Sequence, residues 1–400
     1  MDRHRERTLT FLIIGLIFVL SGVEYAVVLP TIWRYLQVLE APPYFLGLGL
    51  SAFSLSGLLT GPLFGFWSDR SKTTKSIILF SNLFEIAGNF MYFVGYSKWL
   101  LLSSRLVAGV GAGAGSSIFG FLTRSTRPDE RAGIFASVMA CRQAGLLVGP
   151  AFNLFLRLCD FKLGPFVVNK YTSPGPSSLF QVCTGVSGPG KCCHSSVLYG
   201  FHFGSLCVFH AAEFLREEVV VLLTAQFITL FNQTALETMV TPLTQRFFGF
   251  GELANSLMYS LCGVEVILGF FFVRWLSRKV ADRAVLAAGL VICCAACVWC
   301  LIFLCNPRGG YGWELSAFII GVFLQLLGLP FVAVSQVSLF SKVTAEKTQG
   351  FSQGVRRSVG GLATILGPLW AGGLTNNLYL MLGMMLALLI IITVSRSLLL

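Results

Sequence analysis

Gly61-Pro62-Leu63-Phe64-Gly65-Phe66-Trp67-Ser68-Asp69-Arg70-Ser71-Lys72-Thr73-Thr74-Lys75 changes character along its length, from apolar and glycine-rich to charged and basic. A helix crossing about 30 Å of hydrocarbon needs about 20 predominantly apolar residues, and 44–66 supplies them. The polar end then reads as a turn on the bilayer surface. Gly65 permits a tight helix end there, and Asp69 can pair with a neighbouring helix end or an arginine in one conformation.

Working outward, the same length test selects 9–30, 76–96, 99–121, 133–156, 219–242, 254–275, 284–305, 315–339, 350–371 and 378–395. With 44–66 these make eleven spans. The first is too long, and lacks the small-residue cleavage site, for a removed signal peptide. Between the fifth and the next lies an irregular region, 157–218, rich in Gly, Pro, Ser and Cys. Its weakly apolar stretch 196–212 is a candidate sixth helix. Two readings stand: a short, poorly packed helix, or an altered exon or reading frame that damages the sixth span.

The whole-chain composition agrees. Of 400 residues 55% are hydrophobic and 12% charged, and mean hydropathy is +0.77. Soluble domains carry about 25% charged residues, so this chain cannot cover a water-facing surface. An ordinary cytosolic enzyme, a disordered regulator and a nucleic-acid binder are excluded. The net charge of +11 is explained by topology. With twelve spans both termini share one side, and 17 of the 29 Lys and Arg fall in loops on that side, against 8 opposite. The positive-inside rule therefore predicts cytoplasmic termini. The remaining four, Arg105, Arg142, Arg356 and Arg357, lie within or at the ends of spans.

The chain also repeats itself. Ser21-Gly-Val-Glu24-Tyr-Ala-Val-Val-Leu-Pro30 in the first span parallels Thr234-Ala-Leu-Glu237-Thr-Met-Val-Thr-Pro242 in the seventh. Gly145-Leu-Leu-Val-Gly149-Pro150 in the fifth parallels Thr364-Ile-Leu-Gly367-Pro368 in the eleventh. An offset of six spans implies two pseudo-symmetric six-helix bundles. The expected boundaries are 1–218, with 157–218 irregular and its sixth helix weak, and 219–400.

Three signatures resemble the major facilitator superfamily. Gly61 to Lys75 is similar to that family's loop between the second and third spans. Arg105-Leu-Val-Ala-Gly109-Val-Gly111-Ala-Gly113 resembles its fourth-span motif, and Gly145-x-x-x-Gly149-Pro150 a fifth-span motif often associated with antiporters. At finer grain, Leu29–Leu36, Leu236–Thr244 and Gly263–Val266 resemble the family's lysosomal branch linked to neuronal ceroid lipofuscinosis. The resemblance implies an all-α major facilitator fold around a midplane cavity that opens alternately to each side. It also implies residence in the lysosomal or endosomal membrane.

Charges at bilayer depth are costly and by default face a path or a bundle interior. Glu24, Glu85, Glu237 and Glu265 are the candidate proton or ion-coupling acids, Glu24 and Glu237 foremost because they sit on the pseudo-symmetric spans. Each has an alternative reading as a hydrogen bond that merely holds packing. Arg142, mid-way along the fifth span, must pair with an acid or bind an anion; at least one of Arg356 and Arg357 can snorkel to headgroups, and Arg357 is the better cavity cation on helix-face grounds. The guanidinium fork suits carboxylate or phosphate, which favours an anionic substrate. Arg105 reads as structural or as a proton relay. Gly65, Asp69, Arg70, Gly109, Gly113, Gly145, Gly149, Pro150, Gly367 and Pro368 complete the conformational motif, the glycines serving close helix approach and bending.

Twelve cysteines invite other chemistry. Cys293, Cys294, Cys297, Cys300 and Cys305 read as small packing residues of the ninth span. Cys159, Cys183, Cys192 and Cys193 fall on the predicted lumenal side, where a disulfide is permitted. No metal site or cofactor is expected, and the sequon Asn232-Gln-Thr234 lies inside a span, out of reach of glycosylation. No nucleotide loop or catalytic triad appears, so the chain is not expected to be an enzyme or a pump. The reading is a secondary transporter of a small organic or inorganic anion, coupled to protons, monomeric in the lipid bilayer and without nucleic-acid partners. A passive chloride conductance and a non-transporting membrane chaperone or receptor are the rivals.

Overall fold

In the computed structural model the described residues are 3–41, 44–71, 73–156, 161–163, 166–168, 214–250, 252–304, 310–374 and 377–397. The weak span 196–212 and Cys159, Cys183, Cys192 and Cys193 lie outside them. The first half contributes α1 (Arg3–Val38), α2 (Tyr44–Ser71), α3 (Thr74–Val94), α4 (Lys98–Ala112), α5 (Gly115–Ser125) and α6 (Pro128–Leu156). The second half contributes α7 (Glu217–Phe248), α8 (Glu252–Leu276), α9 (Asp282–Leu304), α10 (Tyr311–Val343), α11 (Gln349–Gly373) and α12 (Leu378–Ser397). The all-helical expectation has one local exception, an antiparallel pair of three-residue strands, Phe161–Leu163 and Phe166–Val168.

Local chemistry sets the helix ends. Gly95, at φ 41°, closes α3 with its N–H on the Met91 carbonyl at 3.2 Å; only glycine adopts this conformation without strain. The Tyr35 hydroxyl donates to the Tyr92 and Gly95 carbonyls at 3.3 and 3.4 Å. Ser97 starts α4 by accepting from the Leu100 N–H at 3.2 Å. Pro128 opens α6, with Asp129 and Glu130 in the first turn, where acids complement the helix dipole.

The expected span 99–121 is broken into α4 and α5. At the break Gly113 N–H donates to the Val110 carbonyl and Ala114 N–H to the Gly111 carbonyl, both at 3.1 Å, a tighter turn than an α-helix makes. The Thr60 hydroxyl reaches across from α2 to the Val110 carbonyl at 3.2 Å.

Eight helical segments, the α4–α5 pair counted as one, are long and apolar enough to cross a membrane among the described residues. Helices α2 and α11 also match expected spans. They pack on each other through Gly61, Gly65, Gly350 and Gly354. In the first half α1 packs on α6, and α4 on α2 and α3; in the second α7 packs on α11, and α10 on α8 and α9. Outward-facing Leu12, Leu59, Leu83, Leu257, Leu268 and Leu369 are each at least 60% exposed; lipid tails solvate them at no cost.

Candidate functional site

Four elements of the first half and α11 bring charges together at mid-depth. Glu24 of α1 accepts from Asn89 Nδ2 of α3 at 2.7 Å. Arg105 of α4, 4% exposed, lies over the Phe53 ring at 4.7 Å, within electrostatic reach of Glu24, Tyr25 and Tyr92. Glu85 of α3 stands against Gly111, where a Cβ would crowd the Ser81 carbonyl at 2.7 Å; its charged neighbours are Glu24 and Arg357. The Arg357 guanidinium covers Gly115 at the head of α5 so closely that any side chain there would displace it. Arg142 of α6 is exposed and its charge reaches Tyr25 and Arg357. Among the described residues neither Arg142 nor Arg357 has a hydrogen-bond or ion-pair partner.

Arg356 behaves differently from its neighbour and does not snorkel. It is 8% exposed, donates to Gln353 Oε1 at 2.9 Å and to Gln226 Oε1 of α7 at 3.0 Å, and lies 5.9 Å from the Phe119 ring centre. It ties α11 to α7. Residues 353 and 356 share a helix face, so the amide captures the guanidinium before it can reach a headgroup.

Glu237 of α7 is exposed to an internal chamber and accepts from Gln233 Nε2 at 2.8 Å. The chamber measures about 490 Å³ and lies among α7, α8, α10 and α12, with Gln143 of α6 and Cys300 of α9 in its wall. Most of that wall is apolar; Gln143, Gln233, Glu237 and Gln325 are its hydrogen-bonding side chains besides Tyr259. Tyr25 lies within reach of Arg142, Arg105 and Glu237, and so joins the charged centre to the chamber. Glu265 of α8 is set apart from the chamber wall, although Cys262, Gly263 and Val266 beside it line the chamber. Its Oε2 is buried without a partner among the described residues.

On the side bearing the termini, the Asp69 carboxylate accepts from the Gly350 and Phe351 N–H groups at the start of α11, each at 2.8 Å. It also pairs with Arg124 of α5, whereas Arg70 is exposed. Beneath it Gly65 meets Gly350 backbone to backbone; a Cβ there would come within 2.9 Å of the Phe351 nitrogen. Arg131 of α6 donates to the Ser341 carbonyl near the end of α10 at 3.0 Å. Both are charges placed against complementary helix ends.

The remaining motif glycines sit at helix crossings. A Cβ on Gly145 would come within 3.0 Å of the Gly22 Cα of α1, and one on Gly109 within 2.9 Å of Ser56 Oγ of α2. Gly113 presses on Thr60, Gly149 on Ala26, and Gly367 on Thr234. Pro150 lies in α6, its side chain outside the described set, and Pro368 lies within α11. Asn232 of the sequon is 1% exposed, its amide on the Met385 carbonyl at 3.2 Å. Among the described residues no cluster of three or more His, Cys, Asp or Glu could hold a metal ion.

Reading for charges alone missed the neutral members: Tyr25, Asn89, Gln143, Gln226 and Gln233. A usable signal existed for two of them, since Tyr25 and Gln143 adjoin Glu24 and Arg142.

Comparison with known proteins matches this geometry. The family model described as Major Facilitator Superfamily covers residues 11–157 and 222–398. Major facilitator superfamily domain-containing protein 8 of Xenopus laevis is 23% identical over 90% of this chain and 84% of its own. Quinolone resistance protein NorA of Staphylococcus aureus is 22% identical over 92% of each. Among solved structures, the human organic anion transporter MFSD10 (TETRAN) superposes with a TM-score of 0.75 at 18% identity, over 99% of this chain and 100% of that one. A bacterial homologue of the iron transporter ferroportin, in its outward-facing state, gives 0.78 at 13% identity, over 97% and 98%. With both sides of the irregular region matched and the whole helical arrangement shared, this chain belongs to the Major Facilitator Superfamily and is a secondary transporter, not an enzyme.

Proposed function

We propose that this secondary transporter carries a small anionic solute together with protons. The observation that carries the reading is a pair of guanidiniums within electrostatic reach of each other, Arg142 and Arg357, neither with a hydrogen-bond or ion-pair partner among the described residues, with Glu85 in reach of Arg357 and Tyr25 between Arg142 and Glu237. A half-buried guanidinium with no acceptor for its N–H groups, as at Arg357, is costly. A bound anion offsets that cost, so substrate and site move as a nearly neutral unit. A carboxylate facing a low-dielectric cavity can in turn exchange a proton with each side, and Glu24 and Glu237 are assigned that role. Glu85 and Glu265 are further acids on the same proposal. The human fold neighbour is an organic anion transporter, which supports the substrate charge.

In this reading the two halves, 1–218 and 219–400, rock about the central site. The terminus-bearing side is assigned to the cytoplasm by its Lys and Arg excess. Opening it requires Asp69 to leave the Gly350 and Phe351 amides, and Arg131 to leave Ser341. Location in the endolysosomal membrane belongs to the proposal and rests on the sequence resemblance. A tagged chain observed beside an acidic-compartment marker checks it.

The direct test is uptake by proteoliposomes containing the full chain, screened across carboxylates, phosphate and chloride with an imposed pH gradient. Gradient-dependent accumulation of an anion, weakened in Arg142→Gln, supports the proposal. A chloride current indifferent to the proton gradient contradicts it, as does the absence of any anion flux in well-folded protein.

A further inference from the structure

The chamber bounded by α7, α8, α10 and α12 has no role in binding a bare anion. Its volume, about 490 Å³, falls in the range that holds small organic molecules, roughly 300–1,000 Å³. An inorganic ion or a two-carbon acid would leave it largely empty. Its wall is also unusual in chemistry. Met239, Met258, Met381, Cys262 and Cys300 place five sulfur side chains around one space, and thioethers are polarizable, unbranched and favourable against aromatic faces. Such a wall adapts to flat or irregular apolar bodies.

The charged centre approaches the chamber at one corner. Gln143 lines it, and Arg142 is the next residue on α6. Glu237 lines it from α7, and Tyr25 stands within reach of both Glu237 and Arg142. An anionic group at Arg142 is thus separated from an apolar, sulfur-rich space by the Gln143 and Tyr25 side chains.

We propose that the substrate is an amphipathic organic anion, whose charged head is held at Arg142 and whose apolar, preferably aromatic, body fills the α7–α8–α10–α12 chamber. This rests on the anion reading above and narrows it from any small anion to one with a ring-sized apolar part. Inorganic ions then bind the head site weakly. Each methylene-sized increment buried in the chamber strengthens binding about fourfold, until the space is full.

The test uses sulfonates, which stay charged and do not leak through bilayers as weak acids do. Binding and proteoliposome uptake are measured for methanesulfonate, benzenesulfonate and 2-naphthalenesulfonate with the full chain. The expected result is a rise in apparent affinity of at least about tenfold from methanesulfonate to benzenesulfonate. Val322→Phe, which fills the chamber from α10, should abolish the advantage of the naphthyl compound over methanesulfonate. Because the size series on the unmodified chain decides the matter, the outcome does not depend on that variant folding. A flat series with measurable transport overturns the chamber assignment and leaves the anion reading standing. Failure to bind or move any sulfonate or other anion overturns both.

Discussion

The contact between Asp69 and the start of α11 can be tested quantitatively. The first amides of a helix have no partner within it, so Gly350 and Phe351 N–H depend on the Asp69 carboxylate, 2.8 Å from each. A hydrogen bond to a charged group contributes about 1.5–3 kcal/mol. Water can reach these amides once the two halves part, so the lower value applies to each, about 3 kcal/mol for the pair. At 1.4 kcal/mol per factor of ten, Asp69→Ala should raise the population opened on the terminus-bearing side about 10²-fold. Hydrogen–deuterium exchange followed by mass spectrometry reads this on peptides spanning 349–356. They should exchange about 10²-fold faster in Asp69→Ala and at the unmodified rate in Arg70→Ala, whose side chain is exposed. Unchanged exchange in Asp69→Ala would refute the reasoning, because the carboxylate would then not be what closes this side.

Gly65→Val places side-chain atoms where the Gly350 backbone sits; the purified variant should stay monodisperse on size exclusion yet lose at least about tenfold in uptake, since a misplacement of this size blocks closure. Arg142→Gln should raise the apparent KM for the anion about tenfold or more through loss of a charge-assisted bond. Arg356→Ala should leave KM alone, but strands the Gln226 and Gln353 acceptors at a cost of about 1–3 kcal/mol, read as a lower Tm. Asn232 is buried in α7, so glycosidase treatment of protein from eukaryotic cells should remove no glycan from this position; a mobility shift abolished by Asn232→Gln would contradict the placement.

The spans were legible because hydrocarbon imposes a length and composition that 9–30 or 284–305 cannot hide. The close crossings at Gly109 and Gly145 were legible for a related reason, since a glycine inside an apolar helix usually admits another backbone. The charged residues at depth were visible as exceptions to composition. What they touch was not visible. Arg356 and Arg357 are adjacent in sequence, yet one is captured by Gln226 across α7 and the other lies on Gly115 of α5. That difference depends on which helix α11 packs against. The break at Gly113 was missed because 99–121 is apolar enough to read as one span, and the tighter turn is supported from α2 by Thr60. The chamber was invisible for the same reason: its wall draws on six helices and mostly apolar residues, which in sequence look like any other span.

Proton coupling through Glu237 is the claim on which the account most depends. Anion uptake into proteoliposomes, driven by an inwardly directed proton gradient, should collapse to the ungraded level in Glu237→Gln. Exchange of labelled for unlabelled anion without a gradient should persist, because Arg142 and Arg357 remain. Gradient-driven accumulation that survives undiminished in Glu237→Gln would contradict the account.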